Sequence, residues 1–210
     1  PPRSTLFPYT TLFRSGPYFA EQVIAHLVAG GMDAAHAKAE AQSIWGYGLT
    51  AAGLMIAVSA PILGAIADES KRRMPWIWLF SALYVIGSAG LWMASPENFP
   101  IMLVLVFFGL GLIGVEFTTI FTNALLPALG TREEIGKISG NGWAWGYVGG
   151  IVALVIMLLL FSENADGVTL LGHAPLFGLD PAMREGTRFV GPFVALWFVL
   201  SMIPFFLWVR

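Results

Sequence analysis

A single acid sits inside an otherwise uncharged apolar run. In VLVFFGLGLIGVEFTTIFTNALL the one ionisable side chain is Glu116, with Thr119 three positions on and Asn123 seven. That spacing puts all three on one face of a helix. Glu116 is about eleven residues from the downstream end of the run, roughly 16 Å at 1.5 Å per residue, close to the middle of a membrane crossing. An acid at that depth is costly unless it faces a cavity, finds a partner or stays protonated, so it marks a candidate pathway. The chemistry it offers is uptake and release of a proton, or contact with a substrate amine, with Thr119 and Asn123 lining the path. A neutral Glu116 hydrogen-bonded to a neighbouring helix is the alternative.

Two other groupings stand out. GAIADESKRRMPW gathers Gly64, Asp68, Lys71, Arg72 and Arg73 between two apolar runs. In ISGNGWAWGYVGG, Gly142, Gly146 and Gly150 recur every fourth residue, with Gly149 widening the stripe. Small residues at that spacing let two membrane helices approach closely, as static packing or as a surface that rocks; both readings stand.

Several soluble-enzyme patterns fail on context. GLGLIG, Gly109 to Gly114, matches a dinucleotide fingerprint by letter, yet it lies mid-run where a strand followed by a turn is required. GTREEIGK, Gly130 to Lys137, spaces its glycines one residue too far apart for a phosphate loop, and Ile138 follows where a hydroxyl is needed. His26, His36 and His173 have no zinc-ligand spacing. Without cysteine, thiol catalysis and thiolate metal sites are excluded. No cofactor and no metal are expected.

The elements that must carry these groups follow from composition. The chain is 57% hydrophobic and 11% charged, with mean hydropathy +0.74, values of a membrane protein. A net charge of −2 gives no footing for a nucleic-acid partner. A bilayer core about 30 Å thick takes roughly 20 apolar helical residues. Five runs qualify, approximately 44–67, 75–94, 100–126, 138–161 and 190–209. Their length and lack of alternation exclude barrel strands, which predicts an all-α bundle. Lys71, Arg72 and Arg73, then Arg132 and Lys137, then Arg210 fall at alternate ends of these runs, so those ends are expected to be cytoplasmic. Residues 21–43 read as an outer, alanine-rich amphipathic surface helix.

Residues 1–15, PPRSTLFPYTTLFRS, resemble translated sequencing-adapter read-through and are expected to be foreign to the fold. Gly16 to Ala20 would then be the tail of a first span whose body is missing.

GAIADESKRR resembles the cytoplasmic signature loop of the major facilitator superfamily. The resemblance implies that Gly64 permits close helix contact, that Asp68 caps a helix end and pairs with a base, and that Arg72 and Arg73 latch a cytoplasmic gate. Glu69 and Lys71 depart from the family pattern. NALLP, Asn123 to Pro127, with ISGNGWAWGYVGG, is similar to the vacuolar effluxer branch, the autophagy-related amino-acid exporters and their bacterial relatives; Thr122 and Asn141 depart from it. Over residues 16–210 this implies the six-helix N-terminal half of a carrier, its first helix mostly missing. It further implies a multi-pass protein of the bacterial inner membrane that exports a small metabolite by alternating access. Its partners would be the lipid bilayer, a small-molecule substrate with or without protons, and the missing C-terminal half, without which no transport is expected. A polytopic enzyme or a non-transporting scaffold are the rival classes.

Overall fold

A computed structural model describes residues 15–208 except 71, 98, 129, 130 and 132. The expected foreign segment therefore lies outside the described residues but for Ser15, as do Lys71, Arg132 and Arg210. The described chain is helical throughout, with α1 at Ser15–Ala29, α2 at Ala34–Ser70, α3 at Met74–Gly90 and α4 at Ile101–Asn123. α5 at Ile135–Leu160, the single turn α6 at Glu185–Arg188 and α7 at Val190–Trp208 complete it. Five helical stretches are long and apolar enough to cross a membrane, as the runs predict.

One expectation fails. Residues 21–43 do not form one surface helix, because α1 stops at Ala29 and the chain turns through Gly31, whose φ of +94° is a left-handed conformation open to glycine. Asp33 then restarts the helix, its Oδ1 accepting the amides of Ala35 at 3.0 Å and His36 at 3.1 Å. From Ala34 onward the helix is continuous into the span, 37 residues in all, about 55 Å at 1.5 Å per residue. Its first ten or so residues extend beyond what a bilayer core about 30 Å thick needs.

Three buried clusters hold the helices. Phe19 of α1 packs on Trp45 of α2 with ring centres 5.0 Å apart, and Trp45 packs on Phe108 of α4 at 4.4 Å, so α2 bridges a cluster that also holds Val23 and Leu112. Ile77 and Phe80 of α3 meet Phe117 and Phe121 of α4 near the basic loop. Tyr84, Val115, Ala153, Met157 and Val194 join α3, α4, α5 and α7.

α3 and α4 approach closely along a seam that uses two glycines of GLGLIG, Gly111 and Gly114. A Cβ on Gly114 would lie 2.5 Å from the Tyr84 amide nitrogen, and one on Gly87 would lie 2.3 Å from that of Gly111. Gly109 has nothing within 4 Å. A pattern that imitates a nucleotide loop is thus a packing seam between two spans, which membrane helices need because no hydrophobic effect draws them together in lipid.

Candidate functional site

α4 ends with Thr118, Thr119, Thr122 and Asn123, and these form one wall of a cavity of about 390 Å³. Ser139, Gly142, Trp143 and Gly150 of α5 form the second wall, Trp197, Phe198 and Ser201 of α7 the third, and Tyr84 of α3 closes it. Because these residues lie late in α4, in the first half or so of α5 and midway along α7, the cavity runs from the middle of the bundle toward the Arg73 loop. Its size falls in the range of small-ligand sites, roughly 300–1,000 Å³.

The stripe read from the sequence is divided by the structure. Thr119 and Asn123 border the cavity, whereas half-buried Glu116 is outside its lining. Three hydroxyls have defined roles: Thr119 donates to the Val115 carbonyl at 2.8 Å, Thr122 to that of Thr118 at 2.8 Å, and Ser201 to that of Trp197 at 2.8 Å, whereas the buried Thr118 hydroxyl has no partner among the described residues. Each donated proton is spent on the residue's own helix, leaving oxygen lone pairs. Gly142 and Gly150 border the same cavity and Gly146 is buried, while a Cβ on Gly149 would come 4.0 Å from Trp197 Nε1. A Cβ on Gly142 would meet nothing within 4 Å.

At the near end, Arg73 joins two helices. Its Nη2 donates to Asp68 Oδ1 at 2.7 Å, and its Nη1 donates to the Ala124 carbonyl at 2.6 Å. Ala124 is the C-cap of α4, so the guanidinium satisfies a carbonyl that has run out of helical partners and ties it to the end of α2. Arg72 is exposed, and Gly64 has open space beside it. In the following loop Glu134 accepts from the amide and hydroxyl of Thr131, which holds its carboxyl below the ordinary value.

The opposite end carries a cluster the sequence reading missed. Buried Glu163 accepts the Thr187 amide at 3.1 Å and the Thr187 hydroxyl, and Arg184 Nε lies 3.3 Å from it. Arg184 also reaches Glu21 of α1 at 3.2 Å. Its backbone is left-handed, with φ of +53°, strained for a residue with a side chain. Beside it Arg188 Nε donates to the Trp92 carbonyl at 3.1 Å, with the guanidinium 4.8 Å from the Trp92 ring centre. Only a surplus of acids over bases in 162–189 pointed here, because the partners are more than twenty residues apart along the chain.

An all-helical bundle whose described residues include five helices long and apolar enough to span, with polar groups facing a cavity and charge gathered at the helix ends, is a multi-pass membrane protein. The chain belongs to the family described as vacuole effluxer Atg22 like, whose model matches residues 30–210. It is also 24% identical, over 166 residues, to an uncharacterized MFS-type transporter, YxiO, of Bacillus subtilis (strain 168). That match covers 79% of this chain and 36% of the relative, so the chain spans about a third of the relative's length. No solved structure matches the chain.

Proposed function

We propose that the chain is the N-terminal half of a non-enzymatic secondary carrier that moves a small metabolite across a bacterial inner membrane by alternating access. In such carriers the substrate lies near the midplane between two halves that rock about it. The observation that carries the reading is the cavity beside Thr119 and Asn123, set among spanning helices with Glu116 one turn away. Glu116 handles a proton or a substrate amine. Asp68 and Arg73, with Arg72, form this half's share of the gate at the cytoplasmic end, and Gly142, Gly146, Gly149 and Gly150 keep α5 free of bulky side chains where it borders the cavity and α7. The family resemblance makes amino acids the first class of cargo to screen.

The test is uptake into proteoliposomes driven by a pH gradient, using the complete reading frame. Glu116→Gln abolishes gradient-driven uptake while counterflow exchange and folding persist. Unchanged uptake would remove Glu116 from the mechanism, and the absence of any saturable flux would remove the carrier reading.

A further inference from the structure

We infer that the cavity between α4, α5 and α7 binds an uncharged aromatic molecule that donates a hydrogen bond, in chemical class an indole or a phenol. The inference rests on the proposed reading of this cavity as part of the cargo path, and it replaces amino acids, which carry two charges, with a neutral ring as the ligand expected in this cavity.

Charge is the first filter. None of the residues lining the cavity is Asp, Glu, Lys, Arg or His. A carboxylate or ammonium would give up water there without a counter-charge, which costs more than any neutral contact returns. Shape is the second filter. Tyr84, Trp143, Trp197 and Phe198 bring four aromatic rings to one small volume, and ring faces and edges favour another flat ring.

Hydrogen bonding is the third filter. Thr119, Thr122 and Ser201 have each committed their proton to a carbonyl in the preceding turn. Those three meet a ligand as acceptors, the Asn123 side-chain carbonyl adds to them, and the buried, unpartnered Thr118 hydroxyl can turn either way. A ligand N–H or O–H finds partners on two of the three walls, while a ring that carries no donor leaves those oxygens unpaired after driving out their water.

The experiment is equilibrium dialysis of radiolabelled indole against the protein of the complete reading frame in lipid nanodiscs, with unlabelled competitors. Indole binds saturably, and 1-methylindole, which has the ring but no donor, competes about tenfold or more weakly. Tryptophan, the same ring carrying two charges, also competes about tenfold or more weakly. Gly142→Leu fills the cavity from a position with open space beside it and removes binding. The double variant Thr119→Val, Thr122→Val keeps side-chain volume, and so also tests the inference if the leucine variant does not fold; it weakens indole about tenfold. Equal competition by 1-methylindole, undiminished binding in either folded variant, or uptake of indole that never saturates, as for simple partition into lipid, each overturns the inference. Binding is read at equilibrium, so a failed flux assay with intact indole binding counts against the carrier reading alone, and the reverse result counts against this inference alone.

Discussion

Arg73 is worth more to the fold through a neutral partner than through its charged one. Its ion pair with Asp68 is at the surface, the carboxylate side chain 67% exposed, and such pairs contribute about 0–1 kcal/mol. The bond to the Ala124 carbonyl satisfies a half-buried helix end, and charge-assisted bonds of that kind contribute about 1.5–3 kcal/mol. Arg73→Ala should therefore lower the thermal midpoint in detergent clearly more than Asp68→Asn, with Arg73→Lys in between because an ammonium lacks the fork that reaches both partners. Equal losses from Asp68→Asn and Arg73→Ala would show that the ion pair dominates. Glu163 presents the reverse balance. Its oxygens receive the Thr187 amide and hydroxyl and face Arg184, so Glu163→Gln turns an amide donor toward donors and should cost about 1–3 kcal/mol. The first site was legible in the sequence because Asp68 and Arg73 are five residues apart in one loop. The second was not, because a lone glutamate in a long loop gives no sign of which residue more than twenty positions later will return to it.

Each helix was visible in the sequence as an uninterrupted apolar run, but its ends and contacts were less so. The turn at Gly30–Asp33 was passed over because the alanine-rich stretch beyond it is a good helix former in its own right; two adjacent glycines followed by an aspartate were the signal of a stop and a restart. Asp33 is exposed, and its carboxyl is held below the ordinary value first by the His36 amide and then by the His36 ring. A depressed carboxyl stabilises only where it is ionised, so its contribution is present above its unfolded value and is lost as pH falls through the lower folded one. The protection factors of the Ala35 and His36 amides, taken against the intrinsic exchange rate at each pH, should fall on acidification through that window while the interior of α2 stays protected. The glycines make a sharper test. GLGLIG contains both extremes, for Gly109 has open space and Gly114 touches the α3 backbone. Gly109→Ala should be neutral or stabilising by up to about 1 kcal/mol, as expected for glycine replaced inside a helix. Gly114→Ala must push two backbones apart and should cost about 1–3 kcal/mol or more. Similar midpoints for the two variants would mean that the α3–α4 seam is looser than described. Letter spacing alone could not separate them, since which face of α4 meets α3 is decided by the packing of the bundle.

At the scale of the whole molecule, the remaining question is which end of the cavity faces the cytoplasm, and the distribution of bases answers it physically. Arg72 and Lys137 are separated by two spans, α3 and α4, so they must emerge on the same side, while the 162–189 loop lies one crossing further on. Lysine and arginine in short loops are retained on the cytoplasmic side during insertion, which predicts that the Asp68–Arg73 pair and the adjoining end of the cavity lie there and the Glu163–Arg184 cluster outside. The sequence has no cysteine, so any thiol introduced is the only one and its labelling is unambiguous. Arg72→Cys and Lys137→Cys should resist a membrane-impermeant maleimide in intact cells and react once the membrane is opened. Asp166→Cys, exposed in the loop after α5, should react from outside without permeabilisation. Labelling of Lys137→Cys and Asp166→Cys from one side would mean that α5 does not cross. The reverse pattern for all three would keep the bundle and invert it, turning the end of the cavity nearer Arg73 toward the outside.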